Sequence, residues 1–266
     1  MTPLAVRDLR VELDGNQIVG GLDLQVHEGE WLGVIGPNGA GKTTFLRAVA
    51  GLVSYSGSIR LFGDEISSLR RRDVARRVAL VPQIPLIPPD MTVLEYVVIG
   101  RTPHLGYTGA PGASDVDACR TALARLDVAQ LADRRLGSLS GGERQRAVLA
   151  RAMAQDARLI LLDEPTTALD VGAQQQVLEL VADLRESRAL TVLSAMHDLT
   201  VAGQYPDRLV LVDGGREVAS GTPAEVLTEQ TIARHYGASV RVLAEGDTLA
   251  VVPLRPHAEA EERVER

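Results

Sequence analysis

The stretch Trp31-Leu-Gly-Val-Ile-Gly-Pro-Asn-Gly-Ala-Gly-Lys-Thr-Thr44 decides the fold of this chain. Its first five residues form an apolar run that predicts a buried strand, and a helical pattern follows from about Lys42 to Leu52. Between them, residues 36–43 fit the pattern GxxxxGK[ST]. Strand, glycine loop and helix in this order predict the opening unit of an α/β fold.

This loop, residues 36–43, is called the phosphate loop below. Its glycines let the backbone bend tightly and bring N–H groups against phosphate oxygens, while Lys42 reaches the β- and γ-phosphates and Thr43 can ligate Mg²⁺. The predicted nucleotide-binding residues are Gly36, Pro37, Asn38, Gly39, Ala40, Gly41, Lys42, Thr43 and Thr44. A glycine-rich turn before an ordinary helix is the alternative, but the full spacing favours nucleotide binding. The loop alone does not choose among kinases, GTPases, motors and transport ATPases.

Further apolar runs predict the remaining buried strands, at Val78–Val81, Leu159–Leu162, Leu190–Ala195 and Leu209–Val212. Continuous apolar runs are typical of a parallel sheet that is covered on both faces. The first thirty residues instead alternate apolar and polar side chains, which predicts antiparallel strands. From Gln83 to about Gln155 the pattern is mostly helical, and residues 102–114 read as a loop within it. We interpret this region as a helical lobe inserted into the sheet domain, with Cys119 on a buried helix face.

Composition limits the class of protein. The chain has 266 residues, of which 45% are hydrophobic and 24% charged, as in one soluble globular domain. A net charge of −7 argues against wholesale nucleic-acid binding, and a single cysteine allows no internal disulfide. No apolar stretch approaches the ~18 residues of a membrane-spanning helix. We therefore expect one cytoplasmic domain over residues 1–254, followed by a flexible acidic tail over 255–266.

Two carboxylates follow the apolar strand that begins at Leu159. The carboxyl ends of parallel strands line the crevice where ligands bind, so Asp163 can hold the Mg²⁺ shell, directly or through water. Glu164 could then accept a proton from the attacking water. A strand with polar residues at its solvent end is the alternative, and the phosphate loop favours the functional interpretation.

The signature segment, Leu139-Ser-Gly-Gly-Glu-Arg-Gln-Arg146, precedes a helical run. Ser140 and Glu143 have the spacing of a capping box, which accounts for them structurally. The same helix start offers free N–H groups beside Gly141 and Gly142, and so predicts a second anion-binding element.

Over nearly its whole length the chain resembles the ATP-binding subunits of ABC transporters. Six motifs carry the resemblance in the family's order: GPNGAGKTT (36–44) is similar to Walker A, Gln83 to the Q-loop, LSGGERQR (139–146) to the signature, LILLDEP (159–165) to Walker B, residues 167–170 to the D-loop, and His197 to the switch histidine. The resemblance implies the ABC ATPase fold: a P-loop NTPase sheet core, an N-terminal antiparallel β region and an inserted helical subdomain at about residues 84–155.

In this family ATP binds between two subunits arranged head to tail, with the phosphate loop of one facing the signature of the other. Each motif occurs once here, so the resemblance implies a homodimer with ATP and Mg²⁺ as cofactors. It places Ser140, Gly141, Gly142 and Asp170 at the shared nucleotide.

The resemblance also assigns the remaining roles. Thr43, Gln83 and Asp163 serve Mg²⁺, Glu164 is the general base, and His197 hydrogen-bonds the γ-phosphate. A lone histidine near a strand end is more often structural, and Asp170 could instead cap the helix that begins at Val171.

The resemblance narrows further in two segments, 91–106 (MTVLEYVVIGRTPHLG) and 215–237. Both are similar to importer ATPases for iron–siderophores, haem and cobalamin. This implies a peripheral protein at the cytoplasmic face of the membrane, with an integral permease as partner and an extracytoplasmic solute-binding protein as an indirect one. Ferric siderophore is the first choice of cargo, followed by haem or cobalamin.

On that analogy residues 83–110 dock the permease, and charge reversal at Arg101 uncouples transport. A helix stopped by proline, with two incidental polar side chains at Arg101 and His104, is the alternative. One departure concerns adenine: many members stack it on an aromatic residue where this chain has Leu13.

Other classes fit less well. A non-transport ABC ATPase of DNA repair or translation typically has two cassettes or a long coiled coil, an exporter subunit does not account for GRTPHLG, and a metabolic P-loop kinase would lack LSGGERQR.

Overall fold

The structure is a computed structural model and describes residues 2–106, 109–167, 169–188, 190–246 and 248–255. Residues 256–266, nearly all of the predicted acidic tail, lie outside the described residues. The strands are β1 (Leu4–Leu13), β2 (Asn16–Val26), β3 (Trp31–Ile35), β4 (Ser56–Leu61), β5 (Asp64–Glu65), β6 (Val78–Val81), β7 (Leu159–Asp163), β8 (Thr191–Ala195), β9 (Arg208–Asp213), β10 (Arg216–Gly221), β11 (Val240–Glu245) and β12 (Thr248–Pro253). The α-helices are α1 (Lys42–Val49), α2 (Arg71–Ala75), α3 (Val93–Val98), α4 (Ala113–Arg125), α5 (Gly141–Ala154), α6 (Val171–Arg188), α7 (Leu199–Ala202), α8 (Pro223–Val226) and α9 (Glu229–Tyr236).

The central sheet has the strand order β10-β9-β3-β8-β7-β6. Its strands run parallel except β10, which pairs antiparallel with β9 at one edge. The predicted parallel sheet is therefore confirmed. β3, which leads into the phosphate loop, lies between β8 and β9, so the loop emerges from the middle of the sheet.

Both faces of this sheet are buried, which explains the continuous apolar runs. On β7, Leu159 and Leu161 pack in the cluster that contains Phe45 of α1 and the N-terminal strands. Ile160 and Leu162 belong to a second cluster, shared with the helices between β6 and β7. Successive side chains of a strand point to opposite faces, so a strand covered on both sides needs no polar positions.

The alternating N-terminal pattern forms a separate antiparallel sheet in the order β2-β1-β4-β5, as predicted. Its inner face, including Val6 and Leu22, packs in the same cluster as α1. This sheet therefore covers the helix that follows the phosphate loop.

The helical lobe consists of α3, α4 and α5, which follow β6 and precede β7. The predicted buried face of α4 and its end is confirmed, because Cys119, Ala122, Leu123 and Leu126 lie in the lobe core. Burial raises the pKa of the Cys119 thiol to about 11, so this cysteine is a packing residue. The predicted loop over 102–114 is shorter than expected, because a 3₁₀ helix spans Ile99–His104 and α4 begins at Ala113.

Helix α1 ends at Val49, three residues before the predicted Leu52. Gly51 has φ +68°, a left-handed conformation that terminates helices and suits glycine. The apolar pattern continues past this point, and Gly51 is the residue in the sequence that marks the stop.

Arg101 binds within the chain and does not offer a free charge to a partner. The uncoupling of transport by charge reversal at Arg101 stays a prediction. The Arg101 side chain is only 14% exposed. Nε donates to Asp115 Oδ1 at 3.0 Å and Nη1 donates to the Ala154 carbonyl at 2.8 Å. His104 is also engaged, with Nε2 2.8 Å from the Gln155 carbonyl oxygen. These side chains are neither incidental nor free for docking; they bind within the chain.

After β10 the chain forms α8, α9 and the β11–β12 hairpin. The sequence patterns predicted none of these elements. The hairpin docks on α7 through Thr200, whose Oγ1 donates to the Val251 carbonyl and accepts from the Val251 N–H. Leu249 packs so closely that a Cβ at Gly203 would lie 2.9 Å from its Cβ. Among the described residues, no helix is both long and apolar enough to cross a bilayer.

Trp31 offers a test of this packing. Its Nε1 donates to Ser194 Oγ at 2.8 Å, and both residues are fully buried. We expect Trp31→Phe to lower the free energy of unfolding by about 3 kcal/mol, because it opens a cavity and leaves the serine hydroxyl without a donor. Equilibrium urea unfolding followed by circular dichroism measures this loss.

The control is the double variant Trp31→Phe/Ser194→Ala. Removing both partners should recover about 1 kcal/mol relative to the single variant, because no buried hydroxyl is then left unpaired. Equal stability of the two variants would show that the hydrogen bond contributes nothing beyond packing.

A candidate nucleotide site at the carboxyl edge of the central sheet

The phosphate loop runs between two backbone carbonyls that leave no room for side chains. A Cβ at Gly36 would lie 2.1 Å from the Val212 carbonyl oxygen at the end of β9. At Gly41, φ is +97° and a Cβ would lie 2.7 Å from the Ile18 carbonyl oxygen of β2. These two glycines are therefore required by steric contact as well as by the tight turn.

Lys42 is buried at the base of this loop. Its Nζ donates to the Gly36 carbonyl at 2.7 Å and to the Pro37 carbonyl at 3.2 Å. Burial lowers the pKa of Lys42, while the carboxylates of Glu164 and Asp163 act in the opposite direction. A buried ammonium beside exposed loop amides fits the recognition of phosphate groups.

Thr43 and Asp163 meet beside the loop. Thr43 Oγ1 donates to Asp163 Oδ1 at 2.9 Å, and Asp163 is buried. Burial raises the pKa of Asp163, with the nearby Glu164 charge adding to this, while the hydrogen bond from Thr43 opposes it. A hydroxyl and a buried carboxylate supply the hard oxygen ligands that Mg²⁺ prefers, so this pair fits the predicted metal.

The side chain of Glu164 lies beside the other two predicted catalytic residues, Gln83 and His197. Its Oε2 accepts from Gln83 Nε2 at 2.6 Å and lies 3.4 Å from Nδ1 of His197. Thr167 Oγ1 also donates to Oε2, at 3.2 Å. Glu164 has φ +48°, an uncommon conformation for a residue with a side chain that often marks a functional site.

These residues meet because they follow neighbouring parallel strands. Gln83 follows β6, Glu164 follows β7 and His197 follows β8, and these three strands are adjacent in the sheet. Carboxyl ends of parallel strands lie at one edge, and the phosphate loop leaves β3 at that same edge.

The signature segment lies elsewhere. Ser140 caps α5 in a capping box with Glu143, as predicted. Gly141 and Gly142 face Leu169 and Ala173, close to the start of α6, rather than the phosphate loop. Within one chain these glycines are therefore not part of the site around Lys42.

Asp170 is a helix cap in this structure. Its Oδ1 accepts from the N–H of Ala173 at 2.8 Å, in the first turn of α6. The alternative considered for Asp170 in the sequence is thus confirmed, and its predicted place at the shared nucleotide stays a prediction.

Leu13, the residue at the predicted adenine position, ends β1 and pairs with Asn16 across the β1–β2 turn. Ile18 of the same hairpin lies over the loop, because its Cγ2 is 3.5 Å from the position of a Gly41 Cβ. Both are apolar, so an adenine contact on this sheet would be packing without an aromatic ring. The sequence pattern gives no indication of Ile18 at this place, because its position depends on the strand pairing.

Tyr236 of α9 also reaches the loop, and His235 of the same helix reaches the end of β9; the sequence patterns predicted neither contact. The Tyr236 hydroxyl is buried beside the backbone of Gly36, and burial raises the pKa of Tyr236. His235 Nδ1 lies 2.8 Å from Asp213 Oδ2 at the end of β9. Their only sequence signal was the similarity of segment 215–237 to importer ATPases.

A phosphate loop between strand and helix, with a buried lysine and an acidic residue on the adjacent edge, defines a P-loop nucleotide-binding protein. A family model described as ABC transporter matches residues 19–167. The chain belongs to the ABC transporter family, and the expected fold is confirmed.

Curated relatives are similar over nearly the whole chain. The cobalamin import ATP-binding protein BtuD of Halobacterium salinarum is 44% identical over 93% of this chain, which spans 62% of that protein's length. The hemin import ATP-binding protein HmuV of Streptomyces coelicolor is 41% identical, with 94% of this chain and 90% of that protein covered. The ferric enterobactin transport ATP-binding protein FepC of Escherichia coli is 37% identical, with 88% and 86% covered.

A solved structure agrees in fold. It is a chain of a metal-chelate type ABC transporter in an inward-facing conformation, with a TM-score of 0.83 and 28% sequence identity. The match covers 96% of this chain and 99% of that one.

The buried carboxylate of Asp163 should lower the stability of the folded chain, although this residue is a predicted ligand of Mg²⁺. Its raised pKa means that the ionised carboxylate is disfavoured in the folded state. With EDTA present, Asp163→Asn should therefore unfold at a higher urea concentration than the wild type at pH 7. The gain should shrink as the pH falls through the folded-state pKa toward the ordinary value of 3.8, because wild-type Asp163 is then protonated.

The matched control is Asp117→Asn, on the exposed side of α4. This variant removes the same charge without relieving burial, so its urea midpoint should stay near that of the wild type. A loss of stability in Asp163→Asn at pH 7 would contradict the assignment.

Proposed function

We propose that this chain is the ATP-hydrolysing subunit that powers import of a metal chelate through a membrane permease. The unit is one ABC ATPase domain over residues 1–254, with the lobe at about 84–155 inserted. The observation that carries the proposal is the meeting of Gln83, Glu164 and His197 beside the phosphate loop and the Thr43–Asp163 pair. This arrangement suits hydrolysis of a nucleotide whose phosphates lie along the loop.

The loop binds the triphosphate with its amides and with Lys42. Thr43 and Asp163 would hold Mg²⁺, Asp163 directly or through water, and Gln83 would complete its ligands. Bound there, the metal would supply the positive charge that the β- and γ-phosphates require. Gln83 Nε2 already donates to Glu164, so its carbonyl oxygen is the atom available for the metal.

Glu164 accepts the proton of the water that is in line with the γ-phosphate. Gln83 and Thr167 donate to its Oε2 and hold the carboxylate in place. His197, half exposed beside Glu164, hydrogen-bonds the γ-phosphate. Glu164 has a left-handed backbone conformation, and its Oε2 lies 3.4 Å from Nδ1 of His197.

Two copies form the working unit. Ser140 caps α5, and Gly141 and Gly142 form its first turn beside Leu169 and Ala173 rather than beside the chain's own phosphate loop. A helix N-terminus favours an anion. In a head-to-tail dimer each signature segment therefore completes the partner's nucleotide site, and Asp170 lies near that junction. The C₂ arrangement uses both sites equally.

The cargo is a metal chelate. The relatives carry the names of import or transport proteins for cobalamin, hemin and ferric enterobactin, and a ferric siderophore is our first choice, followed by haem or cobalamin. The net charge of −7 disfavours nucleic acid as a partner. The chain works at the cytoplasmic face of the membrane, and a solute-binding protein on the other side takes part indirectly.

The permease docks near the loop after Gln83. Ile84 and Leu86 are 86% and 84% exposed, which is unusual for large apolar side chains and favours a protein partner. They lie within the predicted docking surface 83–110, and they replace Arg101 as the residues that carry it. Docking beside Gln83 connects the permease directly to the group that holds Glu164.

Glu164→Gln tests the hydrolysis mechanism. The amide keeps the size and can still accept from Gln83, but it cannot take a proton. We expect ATP turnover to fall at least about 100-fold, while ATP and Mg²⁺ still bind and now hold two chains together. A coupled phosphate assay and analytical ultracentrifugation measure these two effects.

The same substitution at Glu186, an exposed position on α6, is the control and should leave turnover unchanged. Turnover by Glu164→Gln at the wild-type rate would refute the general base. A variant that stays monomeric with ATP and Mg²⁺, even with its membrane partner present, would refute the dimer.

Docking is tested by Ile84→Glu/Leu86→Glu on tagged protein purified from detergent-solubilised membranes of its own host. Mass spectrometry should find a multi-spanning permease and a solute-binding protein with the wild type and lose both with the variant. Leu243→Glu, at an exposed apolar position on β11, is the control and should retain them. Ribosomal or DNA-associated partners in their place would overturn the transport function.

A further inference from the structure

The segment Gly100–His104 lies within the docking surface 83–110, but none of its side chains was given a role in hydrolysis or docking above. At its centre the Pro103 carbonyl accepts two hydrogen bonds, from Arg72 Nε at 2.7 Å and from Arg76 Nε at 2.9 Å. Arg72 belongs to α2, and Arg76 follows this helix. Val74 of α2 packs in the apolar cluster that contains Phe45 of α1 and the N-terminal strands. One carbonyl therefore joins the lobe to the sheet core.

A second connection lies at the end of α5. Gln155 Nε2 donates to the carbonyls of Ala75 and Val78, which belong to the core. The Gln155 carbonyl in turn lies 2.8 Å from His104 Nε2. The residues Arg72, Arg76, Pro103, His104 and Gln155 thus form one hydrogen-bonded group, which we call the joint.

The joint is fixed tightly to α5. Arg101 donates to the carbonyl of Ala154 in the last turn of the helix. A cation at this end also interacts favourably with the negative end of the helix dipole. A Cβ at Gly100 would lie 2.2 Å from the Arg151 carbonyl oxygen, so the segment touches the helix backbone. The segment therefore contacts the last turn of α5 at both Arg151 and Ala154.

Helix α5 connects the joint with the signature segment. It has 14 residues, from Gly141 to Ala154, and is therefore about 21 Å long. Ser140 caps its first turn and Gln155 follows its last. A rotation of about 10° around the joint would move Ser140 by about 4 Å. Such a shift exceeds the tolerance of a hydrogen bond.

We propose that the joint sets the position of Ser140, Gly141 and Gly142 relative to the sheet core, with Arg72 and Arg76 as its positioning residues. The proposal rests on the function above, in which the signature segment completes the partner's nucleotide site. The GRTPH sequence thereby has a role inside the chain, because it holds the far end of the helix that presents the signature. Neither arginine touches the nucleotide or the metal ligands.

The test uses Arg72→Gln/Arg76→Gln in the Glu164→Gln chain, which holds the ATP dimer. The loss of two charge-assisted hydrogen bonds should loosen the position of the signature segment relative to the core. We therefore expect the affinity of ATP-dependent dimerisation to fall about tenfold. ADP affinity of the single chain should change less than about twofold, since the phosphate loop is untouched. A general loss of folding would lower both the dimerisation and the ADP affinity, and a thermal unfolding measurement tests for such a loss.

Arg70→Gln is the matched control, because the exposed Arg70 precedes α2 and its side chain pairs with Asp73 rather than with Pro103. It should dimerise like the parent. Gln155→Met removes the other connection and should repeat the loss. Dimerisation of both joint variants at parental strength would overturn the proposal.

A second measurement separates failure of the joint from failure of the proposed function. Spin labels at Gln17→Cys, on β2, and Arg120→Cys, on α4, report the core-to-lobe distance in the single chain, while buried Cys119 stays unlabelled. The joint variants should broaden this distance distribution, and Arg70→Gln should not. If the Glu164→Gln parent itself fails to dimerise, the proposed function fails. An unchanged distribution would then overturn the joint independently.

Discussion

Two backbone carbonyls determine where the phosphate loop can lie. The carbonyl of Val212 approaches Gly36 from the end of β9, and the carbonyl of Ile18 approaches Gly41 from β2. A side chain at either glycine would separate the loop from one of the two sheets. The central sheet and the N-terminal sheet are thus held around one loop, and Lys42, Thr43 and Asp163 take their positions from it.

The site combines charges that a folded chain does not favour by itself. Burial lowers the pKa of Lys42 and raises that of Asp163, so each group is disfavoured in its ionised form. Glu164 adds a backbone conformation that is rarely adopted outside glycine. The dense apolar packing on both faces of the sheet offsets these costs, and these groups lie together at the carboxyl edge of the central sheet.

The proximity of the site residues could be predicted from the sequence, because they follow continuous apolar patterns, whereas their chemical roles stay predictions. β3 and β6 match their predicted bounds, and Glu164 meets Gln83 and His197 because three predicted strands are neighbours. Interactions that depend on tertiary contact were missed. Arg101 looked like a surface charge until Asp115 and the end of α5 were placed around it, and Tyr236 reaches Gly36 from two hundred residues away. Hydrophobic periodicity contains no information on such pairings.

The strand order also has a consequence for how the protein is made. β3 and the loop after it are synthesised early, but the strands that flank β3 in the described sheet, β8 and β9, come more than 150 residues later. The N-terminal sheet, in contrast, has all its strands within the first 65 residues. Contacts so distant in sequence form slowly. A growing chain on the ribosome therefore carries the complete phosphate loop long before it can hold a nucleotide, and its apolar strand β3 needs shelter from aggregation during that interval.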